Sequence, residues 1–390
     1  MKLKSIITLS FCFLISYTGI AQINRKTRMR RILLIIILVT SVHKINAQDF
    51  EKIAKEIMVK DTIPEMTFAI ITEDSITIKK VLGHHKITEI NEKSNVNIDD
   101  YFHLGSNTKA ITGFIAGYLV DSDKIQWDTK LFELFPKLKK KSNNDYHSIT
   151  LEDLLTHQTN IQPFTDGREF QKLSKFKGNK QQKRVEFSKY VLTLKPVDNT
   201  NTTTSYNYSN SGYSIAAMML EKVSGKSWED LCLEILKSEM NIDFVFGWPN
   251  RNLKNQPFGH WVEKENIVPV YPDVDYDLSL VEPAGDISMN IKNYAKFIQI
   301  NIKGLSQKNK FLKSKTYKFL HTAKSDYAIG WENITNDDKQ ISSHCGSDGT
   351  FFCCAEIDRK KIIAYVVFVN SGTISARSGV IEMMNELIKK

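Results

Sequence analysis

Two groups of short segments with the two-residue period of β-strands lie at opposite ends of the sequence. Near the beginning, Met66–Thr72 and Ser75–Leu82 are rich in β-branched residues and are separated by Glu73-Asp74, which predicts a hairpin. Near the end, the pattern predicts four strands with turns between them, followed by a helix over Ser378–Ile388. These four predicted strands are Tyr327–Glu332, Ile341–Cys345, Phe351–Ile357 and Ile362–Val369.

Helical and irregular patterns fill the chain between the two groups of strands. Ser211–Val223, for example, has helical spacing and ends at Gly225, a residue type that commonly follows a helix. Because strands from both ends enclose this middle, we expect an α+β fold: one antiparallel sheet with flanking helices, and an all-helical lobe inserted over roughly residues 110–290. The lysine-rich stretches Lys137–Lys141 and Lys172–Arg184 are expected on solvated loops or helix faces.

Residues 1–47 have the pattern of a targeting segment. Basic residues precede the apolar run Ile6–Ile15, and a second set precedes Ile32–Val39, after which Ala47 and Gln48 offer a cleavage position. Each run is about ten residues long, whereas a bilayer core needs about twenty. We therefore predict a signal peptide for export to the periplasm or cell envelope, and a folded domain over residues 48–390. Met29 is an alternative start, and a membrane-tethered form that keeps residues 32–42 stays open.

The positive charge of the chain is concentrated in this same segment. The formal net charge is +9, but eight of the 53 basic residues and none of the 44 acidic residues precede Gln48. The remaining chain has 45 basic and 44 acidic side chains, a balance that disfavours nucleic acid as a partner.

Cysteine and histidine show no spacing that predicts a metal site. After residue 47, four cysteines in more than three hundred residues do not make a disulfide framework. No CxxC or HExxH spacing occurs, and His84-His85 is interpreted as a loop pair rather than a ligand pair. We therefore expect neither a metal nor an organic cofactor.

The strongest candidate for chemistry is the segment from Ser106 to Lys109, which opens an apolar helix. The two residues are three positions apart, almost one helical turn, so the hydroxyl and the amine lie on the same face. A neutral amine placed there can take the hydroxyl proton and activate the serine as a nucleophile. The same spacing follows Ser41 and Ser174, but the first lies in the targeting segment and the second in a polar stretch.

Two further elements supply groups that acyl transfer needs. Tyr208 and Asn210, with one residue between them, lie just before a predicted helix, where a phenol can relay protons and an amide can hold a carbonyl group. His344 and Gly346 end a predicted strand and are followed by Ser347. A glycine there lets a substrate approach the strand edge, and nearby N–H groups can form an oxyanion hole.

These three elements, in this order, resemble the serine penicillin-recognising family: class C β-lactamases, D-alanyl-D-alanine carboxypeptidases, D-aminopeptidases and related esterases. Further matches are Ile149–Ile161, Pro283–Gly285 and Tyr327–Trp331. The resemblance covers about Ile63 to Lys390 and implies a β-lactamase/transpeptidase-like fold.

The resemblance also implies acyl transfer through a covalent intermediate. Ser106 would be the nucleophile, Lys109 would activate it, and Tyr208 would move protons to and from the leaving group. The division of the base role between Lys109 and Tyr208 stays open.

A binding cleft around these residues is implied as well. Asn210 would contact the amide of the substrate, His344 and Gly346 would line the carboxylate side, and the N–H groups of Ser106 and Ser347 would hold the oxyanion. β-Lactamases usually carry lysine where this chain has His344, and a mostly neutral imidazole attracts a carboxylate less strongly. This departure disfavours a dedicated β-lactamase.

The expected function is that of an exported serine hydrolase that acts through a Ser106 acyl-enzyme on peptides ending in D-alanine, or on related amides and esters. Peptidoglycan-derived peptides are among the candidate substrates. The alternatives are a small-ester esterase or a β-lactamase of the same family, and a catalytically silent protein that binds cell-wall peptides.

Overall fold

A computed structural model describes residues 49–93, 95–171, 173, 176–198 and 206–389 of the chain. The predicted signal peptide, residues 1–47, lies outside the described residues. The chain divides into two compact units, Met1–Lys52 and Ile53–Lys390, and the fold below is that of the second unit. Within the described ranges, no helix is both long enough and apolar enough to cross a membrane.

The strands of the described chain form one large and two small antiparallel sheets. They are β1 Glu65–Thr72, β2 Ile76–Gly83, β3 Tyr101–His103, β4 Val245–Phe246, β5 His260–Glu263, β6 Asn266–Pro269, β7 Ile287–Asn290, β8 Glu332–Thr335, β9 Gln340–Ser347, β10 Phe352–Asp358 and β11 Ile363–Val369. The main sheet has the order β2-β1-β11-β10-β9-β8, and the small sheets are β3-β7-β4 and β5-β6. Both ends of the folded chain therefore build the main sheet, which confirms the predicted α+β architecture. The inserted segment, roughly residues 110–290, was expected to be all-helical, but it also contains β4 to β7.

Helices occupy most of the middle of the chain and follow the last strand. Residues 49–61 form α1. The others are α2 Thr108–Asp121, α3 Leu131–Leu134, α4 Leu151–Leu155, α5 Gly167–Gln171, α6 Lys180–Val191, α7 Asn210–Ser224, α8 Trp228–Cys232, α9 Pro249–Asn252, α10 Glu282–Gly285, α11 Ile291–Leu305, α12 Ser314–Thr322 and α13 Ile374–Ile388. A π-helical stretch, Leu233–Glu239, extends α8, and 3-10 turns form at Ile87–Glu89, Gly105–Asn107, Pro136–Lys141 and Asn144–Tyr146.

Runs of buried apolar residues explain the central position of β1 and β11 in the main sheet. Every residue from Glu65 to Ile71 is buried, as is every residue from Ala364 to Val369. Successive side chains of a strand point to opposite faces, so both faces of these strands are covered. On the sheet, α11 packs against β1, and α13 packs against β10 and β11.

One predicted strand is displaced towards the end of the chain. Tyr327–Glu332 was the expected strand, but β8 begins only at Glu332, and Tyr327 forms a single bridge to it. Gly330 has a φ of +77°, and a Cβ atom on it would lie 2.5 Å from the Cα atom of Ala110. The prediction was wrong because the chain turns here to pack against α2, which the local pattern does not reveal.

Arg184 contradicts the expectation that the lysine-rich stretch is solvated. Its side chain on α6 is fully buried and forms ion pairs with Glu221, Glu229 and Glu282, which lie on α7, α8 and α10. Lys180 also pairs with Glu282. A buried guanidinium requires such partners, and these are far away in sequence, so the local charge pattern was misleading.

A disulfide corrects the expectation drawn from cysteine usage. Cys345 on β9 and Cys354 on β10 lie directly opposite each other and are bonded, whereas Cys232 and Cys353 are buried free thiols. The spacing of the four cysteines did not predict this pair, because it depends on the register between two strands.

The Cys345–Cys354 bond is expected to stabilise the β9-β10 hairpin by constraining the unfolded chain. For a sequence separation of nine, replacing both cysteines with serine should lower the free energy of unfolding by about 2–3 kcal/mol. Denaturant titration of the double variant and the wild type measures this difference. A reductant should lower the stability of the wild type alone; an equal effect on both proteins would contradict the assignment.

Candidate active site

A tight turn places Ser106 between the small sheet and helix α2. Leu104, after β3, donates its N–H to the Ile287 carbonyl at 2.8 Å, which anchors the chain before the turn. Gly105 follows with a φ of +51°, and Ser106 lies half-buried in the 3-10 turn that ends at Asn107. The α-helix proper begins two residues after Ser106, so the serine hydroxyl lies at its entrance.

The Lys109 amine is buried beneath this serine. Its Nζ atom lies 3.2 Å from the Ser106 Oγ atom, 2.7 Å from the Asn210 Oδ1 atom and 2.9 Å from the Ala284 carbonyl oxygen. A neutral amine has two hydrogens and one lone pair. It can donate to the amide and carbonyl oxygens, which leaves the lone pair to accept the serine hydroxyl proton.

The environment of the two proton-carrying side chains supports different roles for them. Burial holds the pKa of Lys109 well below its usual value, which favours the neutral base. Burial raises the pKa of Tyr208, although a hydrogen bond to Ser106 opposes this shift, so the phenol keeps its proton. These directions favour Lys109 as the base for the Ser106 proton and Tyr208 as a proton donor.

Asn210 holds the lysine amine at the start of α7. Ser209 caps this helix by accepting the Gly212 N–H at 3.0 Å. The Asn210 amide accepts from Lys109 through Oδ1 and donates through Nδ2 to the Phe164 carbonyl at 3.0 Å. Both ends of the amide are engaged, so Asn210 orients the Lys109 amine. Its contact with the substrate amide stays a prediction.

The end of β9 lies against the nucleophile turn. A Cβ atom on Gly346 would lie 2.2 Å from the Leu104 carbonyl oxygen and 2.5 Å from the Ser106 nitrogen. A Cβ atom on Gly105 would lie 2.3 Å from the Ser347 nitrogen. Real side chains cannot occupy these positions without displacing the backbone, so the two glycines allow the Ser106 and Ser347 N–H groups to approach each other.

The strand register directs the Ser347 N–H away from β10. Cys345 and Cys354 have Cα atoms 4.1 Å apart, the separation of a non-hydrogen-bonded pair. Such pairs alternate along an antiparallel ladder, so Ser347, two residues further on, belongs to the same class. The Ser347 hydroxyl donates to the Phe351 carbonyl at 2.6 Å, which leaves the backbone N–H as the group available for an oxyanion.

The free edge of β9 borders this turn. Pairing with β8 extends only from Gln340 to Ser343, so His344 to Ser347 have no strand on that side among the described residues. An extended substrate backbone can pair with such an edge.

His344 brings a neutral ring to this edge. Its Nδ1 atom lies 2.7 Å from the carbonyl oxygen of Cys345, and its Nε2 atom lies 2.9 Å from the Tyr327 hydroxyl oxygen. Burial lowers the pKa of His344 to about 3, with a further contribution from Lys109. The ring supplies no positive charge for a substrate carboxylate.

Two residues that support the nucleophile turn were not predicted. Asn107 donates its amide to the carbonyls of Leu104, at 3.2 Å, and Cys353, at 2.9 Å. His103 accepts the Gly105 N–H at 3.3 Å, and its other ring nitrogen lies 2.9 Å from Asp286. The sequence held no signal for these contacts, since Cys353 is 246 positions from Asn107 and Asp286 is 183 positions from His103.

Together, a serine hydroxyl, a buried amine, a phenol and two neighbouring backbone N–H groups are the set of groups that a serine hydrolase uses. A family model described as Beta-lactamase matches residues 50–378. The chain therefore belongs to the beta-lactamase family, as the motifs had predicted.

One protein of similar sequence is named as a hydrolase. The unguisins hydrolase ungD' of Aspergillus campestris (strain IBT 28561) is 27% identical over 259 residues, which are 64% of this chain and 46% of that protein. The chain thus spans about half the length of this curated relative.

Two solved structures share the fold. The octameric penicillin-binding protein homologue from Pyrococcus abyssi has a TM-score of 0.69 at 18% identity, with 88% of this chain and 77% of that chain covered. A D-stereospecific amidohydrolase from Streptomyces sp. has a TM-score of 0.66 at 16% identity, with 85% and 98% covered. At these identities the likeness shows the fold.

The lowered pKa of Lys109 predicts how the acylation rate depends on pH. Below that pKa the amine is protonated and cannot accept the serine proton, so kcat/KM should fall as the pH decreases through one ionisation well below 10.5. A pH profile with an ester substrate measures it. Lys109→Arg should lower kcat/KM about 10²- to 10⁴-fold at all pH values, because a guanidinium stays protonated.

Gly346→Ala is expected to separate the β9 edge from the nucleophile turn. A displacement of catalytic groups by about 1 Å can reduce a rate about 10²-fold, so we expect kcat of Gly346→Ala to fall by about this factor. The matched control is Gly167→Ala, where an added Cβ atom has no neighbour within 4 Å and should leave kcat unchanged. Equal activity of both variants would show that the close approach at Gly346 has no catalytic importance.

Proposed function

We propose that this protein is an exported serine hydrolase that forms an acyl-enzyme at Ser106 and acts on D-alanyl peptides or related amides, in the manner of a D-alanyl-D-alanine carboxypeptidase. The observation that carries this proposal is the 3.2 Å contact between the Ser106 Oγ atom and a buried lysine amine whose other partners are two hydrogen-bond acceptors.

Acylation begins when Lys109 accepts the proton of the Ser106 hydroxyl. The Oγ atom attacks the substrate carbonyl carbon, and the N–H groups of Ser106 and Ser347 stabilise the negative oxygen of the tetrahedral intermediate. Tyr208 donates its proton to the leaving group as the carbon–nitrogen or carbon–oxygen bond breaks, and the proton held by Lys109 restores the phenol.

Deacylation uses the same groups in reverse. Lys109 accepts a proton from water, which attacks the acyl carbon, and the carbon–oxygen bond to Ser106 breaks as the serine recovers its proton. The released product is a carboxylic acid. No cofactor enters either half of this scheme.

The preference for D-amino acid substrates is supported by the family and by the edge of β9. An extended peptide backbone can pair with the residues from His344 to Ser347, which fixes the side on which a substituent at the α-carbon points. The similar Streptomyces protein is described as a D-stereospecific amidohydrolase. Peptidoglycan-derived peptides are the proposed source of such substrates.

One observation favours a second candidate, a small-ester esterase. Because burial lowers the pKa of His344, this ring offers no positive charge to a terminal carboxylate. A substrate without a carboxylate, such as a simple ester, would lose no binding energy at this position, because it does not need a positive charge there.

Export is proposed from the apolar runs before Gln48 and is supported by the Cys345–Cys354 disulfide, since such bonds persist in oxidising compartments. The proposed location is the periplasm or cell envelope. Amino-terminal sequencing of the protein from its native host distinguishes a chain cleaved before Gln48 from a tethered form that keeps residues 32–42.

The first test is the intact mass of residues 48–390 after incubation with a penicillin, with Ser106→Ala as the control. We expect a covalent adduct on the wild type that is absent from the variant, because only the wild type has the activated hydroxyl. Unmodified protein in the presence of unconsumed drug would reject the penicillin-binding part of the proposal.

A substrate panel then separates the candidates. A D-alanyl-D-alanine peptide, its L-enantiomer, a D-amino acid amide and a p-nitrophenyl ester are compared by kcat/KM. Turnover of the D-peptide or D-amide supports the leading proposal, and turnover of the ester alone supports the esterase. A wild type no faster than Ser106→Ala on all four would indicate a catalytically silent binding protein.

A further inference from the structure

Three buried side chains with metal-binding chemistry meet at the start of the main sheet. Glu65 is the first residue of β1, His85 follows β2, and Asp100 directly precedes β3. They are 0%, 4% and 3% exposed, and one potential ligand atom from each lies within 4.8 Å of the others.

Glu65 has no hydrogen-bond partner for its carboxylate. Both oxygens are buried and no donor reaches them in the part of the chain that the structure describes. Its backbone, in contrast, is fixed, because the Glu65 N–H donates to the Asn370 side chain at 2.8 Å. Burying an ionised carboxylate without a partner is costly, so the arrangement requires either a proton or a cation at this place.

We propose that Glu65, His85 and Asp100 bind a divalent transition-metal ion, with Zn²⁺ as the best match to the donors. One imidazole nitrogen and carboxylate oxygens are common zinc ligands. The two carboxylates carry two negative charges, which a dication neutralises. If Glu65 uses both of its free oxygens, the three side chains provide four donor atoms.

The spacing of the ligands fits this assignment. The His85 Nε2 atom lies 3.0 Å from the Asp100 Oδ2 atom. Two ligands at about 2.0 Å from a tetrahedral zinc ion are about 3.3 Å apart, so only a small opening of this pair is needed. The backbone around the pair is held in place: the His85 carbonyl accepts hydrogen bonds from Phe258 and Asn370, each at 3.1 Å.

The metal would connect three segments that lead to the nucleophile. It would join the first strand of the main sheet to the connection between β2 and β3, and β3 ends just before the turn that carries Ser106. We therefore assign it a structural role that is independent of the proposed function. The sequence analysis interpreted His84-His85 as a loop pair, since no metal-binding spacing of cysteine or histidine occurs. The other two ligands are single acidic residues, which such spacings do not include.

A shared proton is the competing explanation. Burial and the neighbouring Asp100 raise the pKa of Glu65, and a protonated Glu65 could donate to Asp100. This alternative predicts no response to metal ions, so the two explanations can be separated by experiment.

The test uses the full chain purified without a histidine tag, stripped with EDTA and titrated with Zn²⁺ and, in parallel, Mn²⁺. Calorimetry should give one Zn²⁺ per chain, and thermal unfolding should shift to higher temperature in its presence. Glu65→Gln and Asp100→Asn should each weaken binding at least about 10-fold. The matched control, Glu356→Gln, changes a half-buried carboxylate on β10 and should bind as the wild type does.

The stability of the metal-free proteins provides an independent readout. Metal-free Glu65→Gln should be at least as stable as metal-free wild type, because it removes a buried carboxylate, yet its Tm should not respond to Zn²⁺. No binding of either ion to the wild type, or equal binding to wild type and Glu65→Gln, would overturn the proposal and favour the shared proton. Neither result would affect the acyl-enzyme test at Ser106.

Discussion

The burial of the Lys109 amine is the constraint on which the proposed catalytic site depends. Burial is the cause that lowers the pKa of this amine. Two acceptors, the Asn210 amide oxygen and the Ala284 carbonyl, use the two hydrogens of the amine and direct its lone pair at Ser106. The surrounding helices thus serve to keep water and negative charge away from one nitrogen atom.

Backbone geometry supplies the other half of the site. The proposed oxyanion donors come from a helix entrance and a strand end that are distant in sequence, and their approach is possible only because Gly105 and Gly346 lack side chains. The register of β9 on β10 decides which N–H groups face the turn. The Cys345–Cys354 bond joins these same strands, so it fixes the register at the point where catalysis requires it.

Two buried ionisable side chains, Arg184 and Glu65, have different surroundings in this fold. Arg184 is surrounded by three carboxylates from three helices, so its charge is compensated within the protein. Glu65 is equally buried, but no hydrogen-bond donor among the described residues reaches its oxygens. This difference is why we propose a bound cation at Glu65 and none at Arg184.

The local pattern of the sequence was sufficient for features that depend on neighbouring residues. It predicted the hairpin near the beginning, three of the four strands near the end, the helix after Ser106 and the one-turn spacing that brings Lys109 to the serine, because strand and helix periods are local properties. The motif around Tyr208 and Asn210 was likewise recognisable, and the family assignment followed from the order of such motifs.

Tertiary structure alone decided the features that join distant residues. The Cys345–Cys354 pair, the burial of Arg184 and the support of the nucleophile turn by His103 and Asn107 all depend on contacts across strands or helices. Such contacts leave no periodic signal in the chain, since each partner is fixed by packing rather than by spacing. The lowered pKa of Lys109 also depends on tertiary structure: the sequence determined that the amine lies near Ser106, and only the folded surroundings bury it.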